Sequence, residues 1–212
     1  MTTAPYSQAG ASAPFSAATS VSVSNPTTVV DGELAIMHVA ISDANTTITW
    51  PSGWTEIGQV TEGSSFTAGL AWKRLAASDG GGSQTVNFGA SSTGAARIRT
   101  YTSAKLDGTP FESLVAAQGT GTSMTTGAIT TSGPDRKLVA IYLQDSTGTS
   151  TTPSGWTNNL AGASNGTRQY TDSKDIASAT VDPGATRTFT SAAWACWAWA
   201  ILPKESRPSI VT

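Results

Sequence analysis

Regular patterning begins at Ser20, where "SVSVSN" alternates polar and apolar residues and predicts a half-buried strand that ends at the turn Asn25-Pro26. A different pattern follows. Behind the turn residues Asp31 and Gly32, Leu34 to Ile41 form a nearly continuous apolar run, as in a central strand covered on both faces. Leu138 to Leu143, behind "PDRK", has the same character. Each run leads through a Thr-rich stretch, "ANTTITW" or "STGTSTT", to the pentapeptide PSGWT, at Pro51 to Thr55 and again at Pro153 to Thr157.

The parallel continues past the pentapeptide. "GLAWKRLAASDGGGSQTVNF" and "RQYTDSKDIASATVDPGATRTF" both read as strand, small-residue turn and strand, and the closing strands are "ARIRTYTS" and "AWACWAWAILP". Pro51 to Pro153 and Gly82 to Gly184 are the same step of 102 residues (153 − 51 and 184 − 82), which indicates an internal duplication. Neither half carries enough apolar face to stand alone, and the segment from Ala104 to Gly127 reads as a linker without a long polar spacer. These features predict an all-β fold, a jelly-roll-like β-sandwich spanning residues 19–203. Its two sequence-related halves cover about residues 20–106 and 124–203. In "PSGWT", Pro sets φ, Ser-Gly permits a turn with positive φ, and the Trp re-enters a strand. Pro51, Gly53, Trp54 and Pro153, Gly155, Trp156 are therefore read as structural corners whose rings plug the ends of the sandwich, with ligand stacking as the sharper alternative.

Flanking segments look different. Residues 1–18, rich in Ala, Ser, Thr and Pro with Tyr6 and Phe15 as isolated aromatics, read as an extended N-terminal arm; residues 204–212 read as a tail, either a stub or a second docking arm. Tyr6, Phe15, Arg207, Ile210 and Val211 are the candidate assembly contacts.

Composition narrows the function. With 34 Thr, 27 Ser and 21 Gly among 212 residues, short strands and many turns are favoured over long amphipathic helices. Twelve Lys and Arg are spread thinly against 14 Asp and Glu, for a net charge of −2, which argues against nucleic acid as a partner. The N-terminus has no basic and apolar regions of a signal peptide, and no 18-residue apolar stretch exists, so a membrane is not expected and synthesis in the cytoplasm is.

The residues that carry chemistry are few. His38 is the one histidine and lies within "LAIMHVAI", where a buried or interface role is the plainer reading than a general base. Cys196 is the one cysteine, in an apolar run, and reads as a small core residue. Asp31, Asp43, Asp79, Asp107, Asp135, Asp145 and Asp182 fall in turns, where Asp bonds its own backbone; a glycosidase pair would need two of them brought together with one pKa raised. No nucleotide-binding or calcium loop is present. The expectation is no catalytic, cofactor or metal site. In "WACWAWAILP" both alternating faces are apolar, which predicts a central core strand; a Trp face at a subunit interface or sugar platform is the alternative.

The motif order resembles a widespread group of β-sandwich proteins encoded in tailed-phage structural modules and prophages. Asp31, Gly32, Leu34, Pro51 to Thr55, Trp72, Lys73, Phe88, Pro153 to Thr157 and Ala200 to Pro203 carry the resemblance, which covers about residues 28–203. It implies a non-enzymatic virion component associated with capsid decoration or with tail and fibre assemblies. The chain departs from the longer members in being little more than the sandwich and its arms, which favours a decoration or cement protein, a homo-oligomer expected to be a trimer, bound to the major capsid protein. The alternative is a tail- or fibre-associated carbohydrate-binding module, with Trp50, Trp54 and Trp156 stacking on a surface glycan.

Overall fold

The computed structural model describes residues 7–43, 45–64 and 66–204. Tyr6, Arg207, Ile210 and Val211 lie outside the described residues. Apart from a 3-10 turn at Ala77–Asp79, the elements are strands: β1 (Ser7–Ala9), β2 (Ala13–Ser24), β3 (Glu33–Ile41), β4 (Ile48–Thr49), β5 (Thr55–Glu62), β6 (Phe66–Leu75), β7 (Ser83–Tyr101), β8 (Phe111–Thr125), β9 (Ile129–Thr131), β10 (Arg136–Gln144), β11 (Thr157–Ser164), β12 (Thr167–Ile176), β13 (Thr180–Asp182) and β14 (Thr186–Ile201). The fold is all-β, and every ladder is antiparallel.

The chain completes one sheet before it begins the next. In the first, β2 and β1 both pair with β7, and the order continues β7-β3-β6-β5, with β4 added to β7. In the second the order is β8-β14-β10-β12-β11, while β9 and β13 form a separate ribbon. Matching strands by rank makes the two orders the same, and the bulges agree: each last ladder shifts register just after the pentapeptide, between Glu56 and Gly58 and between Asn158 and Leu160.

Burial follows the strand pattern. All nine residues of β3 and the last seven of β10 are buried, as expected for central strands with both faces covered. Alternate residues of these strands point to different cores. Leu34, Ile36 and Ala40 meet Val139, Ile141, Leu143, Trp197 and Trp199 between the sheets. Met37, Val39 and Ile41 face an outer core closed by Phe15, Val23, Phe88 and Trp54, and Leu138, Ala140 and Tyr142 face a second outer core closed by Met124, Phe189 and Trp156. Among the described residues three apolar cores form, one between the sheets and one on the outside of each. The reason is the length of β7 and β14, whose first halves curl with β2 and β8 over the outside of their own sheets. Full burial of each large aliphatic side chain contributes about 1.5–3 kcal/mol, so each outer layer adds to the shared one.

Two boundaries expected from sequence are corrected. Residues 7–18 are no free arm: β1 pairs with Arg99–Tyr101, and β2 begins at Ala13. Phe15 is buried at 6% exposure, its ring 4.7 Å from that of Phe88, and its carbonyl accepts a hydrogen bond from Asn165 Nδ2 at 2.7 Å. As a candidate assembly contact it is already used inside its own chain. The presumed linker contains the 15-residue β8, the counterpart of β2. Its Gly- and Thr-rich text hides a strand because only one of its faces is covered.

Candidate functional site

The two pentapeptides form turns of one geometry. Trp54 N donates to Pro51 O at 3.2 Å, and Trp156 N to Pro153 O at 3.2 Å. Gly53 and Gly155 sit at φ +80° and +75°, a region costly for residues with a Cβ. Trp54 and Trp156 are each 8% exposed and close the two outer cores, and Trp54 Nε1 donates to Gln84 Oε1 at 3.2 Å. Neither ring offers a stacking face. Trp50 is half-buried with Nε1 donating to Glu56 Oε2 at 2.9 Å.

Chemically the least ordinary place is the seam between the sheets where β3 and β7 meet β11 and β12. Ladder register sets Ile36 opposite Arg99 and His38 opposite Arg97, so strand alternation sends both guanidinium groups and the imidazole to the inner face. Arg99 Nη1 donates to Asn159 O at 3.2 Å, and Gln169 Nε2 crosses the seam to donate to Ala95 O at 2.7 Å. A Cβ on Gly162 would meet Arg97 Nη2 at 3.3 Å, so β11 rests directly on that side chain.

Electrostatics there disfavour further positive charge. His38 is fully buried, and its pKa falls from 6.5 to about 3, first from desolvation, then from the charges of Arg97 and Arg99; Gln169 pulls the other way. The pull of Gln169 is that of a side-chain hydrogen bond to the ring, the one polar contact the imidazole makes among the described residues. Burial also lowers Arg97, and the like charge of Arg99 lowers it further. Tyr101, at the end of this row, is pushed up to about 12 by burial, against an opposing pull from Arg99. His38 is therefore neutral across physiological pH, with no carboxylate to make it a base.

Four turn carboxylates hold backbone, while Asp43 and Asp145 are also brought within charge range of each other. Asp31, Asp43, Asp79 and Asp182 accept from the backbone N of Ala77, Thr93, Ala76 and Gly184 at 2.7–2.9 Å. Asp145, half-buried, is raised to about 6 by desolvation and then by the charge of Asp43. In the second outer core Arg187 and Asp172, both fully buried, pair through two bonds of 2.5 and 2.8 Å, with Arg187 lying 4.0 Å from the Tyr170 ring centre. Cys196 is buried, and its thiol is pushed up to about 12 by desolvation, against a weaker pull from the Ala117 backbone. A cleft with a cavity of about 350 Å3 lies where the inter-half connection meets Leu202 and Pro203, just after β14. Its Glu112 is taken up by Ser132 and Arg136, at 2.7 and 3.0 Å, and Lys105 lines the same wall. Among the described residues no three His, Cys, Asp or Glu side chains gather as metal ligands.

No protein-family model matches the chain, and no curated protein or solved structure does either. Of the residues singled out in sequence, His38 is brought into a cluster, while the pentapeptide residues serve two separate corners. Arg97 and Arg99 were passed over. The available signal was "ARIRTY", which puts two cations on one face of a strand whose counterpart reads "WAWAI".

Proposed function

We propose that this chain is a non-enzymatic virion protein of a tailed phage, a decoration or cement protein that binds the outside of the head as a homo-oligomer. The observation that supports it most is that the residues carrying the phage resemblance form matching corners in both halves. Pro51 to Thr55 and Pro153 to Thr157 close the same turn, and each Trp seals an outer core. A rigid body with three apolar cores suits a protein that must persist on a particle exposed to the outside.

The reading rests equally on what the reactive groups do. Asp31 and Asp43 hold backbone, Cys196 is buried with its thiol pushed up, and His38 is neutral and enclosed. Repeated weak contacts on a symmetric shell add by avidity, so a decoration protein needs no strong single interface. Of the three rings named for the carbohydrate-binding alternative, Trp50 is half-buried, while Trp54 and Trp156 are enclosed.

Light scattering after size exclusion, followed by cosedimentation with heads assembled without the protein, tests this. A trimer or other closed oligomer that sediments with heads at a saturating, symmetry-related copy number is expected. A monomer that stays in the supernatant at all concentrations overturns the proposal.

A further inference from the structure

Ladder register allows the two sheets to be compared residue by residue. Thr55 and Thr157, the last residues of the pentapeptides, lie opposite Trp72 and Ser173. Trp72 lies opposite Ile36, and Ser173 opposite Val139; these in turn lie opposite Arg99 and Trp199. Arg99 and Trp199 thus occupy one position of the fold. Two residues along, His38 matches Ile141, Arg97 matches Trp197, and Leu70 matches Thr171; two further, Ala68 matches Gln169.

The two flanks of the seam therefore solve one packing problem in different ways. Where β5 and β6 meet β14, Leu70 and Trp72 face Trp197 and Trp199, and Phe111 joins Trp72 and Trp199 at ring distances of 5.9 and 6.2 Å. Where β11 and β12 meet β7, the same positions carry Thr171, Ser173, Arg97 and Arg99, with His38 between them. Packing does not require the polar set, since the apolar one is realised in the same molecule. The polar set leaves Thr171 Oγ1 and Arg97 Nε buried without hydrogen-bond partners, and His38 with Gln169 as its one polar contact. Each such atom costs about 1–3 kcal/mol unless something meets it. Among the described residues no carboxylate pairs with Arg97. Locally consistent sequences break their own rules mainly at functional sites.

We infer that this flank is a binding site for a small oxyanion, a phosphate, sulfate or carboxylate group, held by the Arg97 guanidinium and met by the Thr171 hydroxyl, beside the His38 ring. Arg97 is partly exposed, which gives the anion its approach, and the planar fork of Arg suits an oxyanion. The absence of a side chain at Gly162 leaves β11 close enough to close one wall.

Because the chain has a single histidine, its imidazole signals report the site without assignment. Wild type, Arg97→Gln and Arg97→Lys are titrated with inorganic phosphate and, separately, with acetate, at pH 7 and constant ionic strength set by chloride. The readouts are the His38 ring shifts and the melting temperature. A saturable shift of His38 with phosphate in wild type, weakened at least tenfold in Arg97→Lys and lost in Arg97→Gln, is expected. The same behaviour with acetate alone assigns the site to a carboxylate, as a partner's acidic side chain would supply. No saturable shift with either anion overturns the inference, as does a shift equal in wild type and Arg97→Gln. Loss of Arg97 moves the site from the polar toward the apolar solution, so Arg97→Gln is expected to fold, and Arg97→Lys retains the charge if it does not.

Discussion

The buried ion pair of the second outer core can be tested against the first outer core, which does without one. Register places Ala71 where Asp172 stands (Met37 opposite Ala71, Ala140 opposite Asp172). Two residues before the buried Phe of β7 and β14 the first half has Val86 and the second Arg187. Arg187 is held tightly: two bonds to Asp172, further bonds to Ser150 Oγ and Thr151 O at 3.3 and 3.2 Å, and ring contacts to Tyr170 and Tyr142. Even so, Asp172 sits above the usual carboxylate range, because desolvation outweighs the bonds and charge of Arg187. On that balance the pairing does not fully repay the desolvation of the carboxylate. Asp172→Ala leaves an uncompensated buried guanidinium and is expected to cost about 3–5 kcal/mol. The double variant Asp172→Ala, Arg187→Val copies the first half and is expected within about 2 kcal/mol of wild type, buried pairs often being replaceable by apolar residues at little cost. Urea denaturation of both single variants and the double gives the coupling. A double variant as unstable as the sum of the singles would refute the reasoning.

Other expectations follow from the same geometry. His38, with a folded pKa of about 3 against 6.5 unfolded, contributes stability that is fully present above pH 6.5 and lost as pH falls toward 3, by about 4–5 kcal/mol. His38→Ile, the residue at its counterpart Ile141, should remove that loss; a wild-type stability that stays flat from pH 6.5 to 4 speaks against it. Asp145 has its pKa raised to about 6, so its contribution is fully present below about pH 3.8 and lost as pH rises through 6. Asp145→Asn should therefore be more stable than wild type above pH 6 and level with it near pH 4, by thermal melts; solvent exposure keeps the gain well below the dry-group value of about 1.4 kcal/mol per pK unit. Trp54→Ala and Trp156→Ala should each cost about 3–5 kcal/mol by opening an outer core, and a loss below 1 kcal/mol in chemical denaturation would show that the corners do not seal it.

Much of the fold was legible because strand text is local. The runs at Leu34 and Leu138 and the repeated pentapeptide read directly as central strands and corners, since period and turn chemistry need no tertiary knowledge. Phe15 and β8 did not, because Ala-, Ser-, Thr- and Gly-rich text suits a one-face-covered strand and an extended arm alike. Which partner buries Phe15 is a tertiary fact, provided by Phe88, 73 residues away in sequence (88 − 15). The seam was hidden for the same reason. Arg97 and Arg99 look like solvated alternation until β11 and β12 are laid over them, and only the ladders show that they stand where Trp197 and Trp199 stand. The long strands β7 and β14 let each half wrap an outer core of its own, which the sequence pattern does not show.

The measurement that tests the decoration reading most directly is a cryo-electron microscopy difference map between heads assembled without the protein and the same heads after it is added. The account predicts discrete density for the two-sheet body at symmetry-related positions on the outer surface, with the head more resistant to heat or chelation once it is filled. An unchanged head surface at saturating protein, or density confined to the tail, would contradict it.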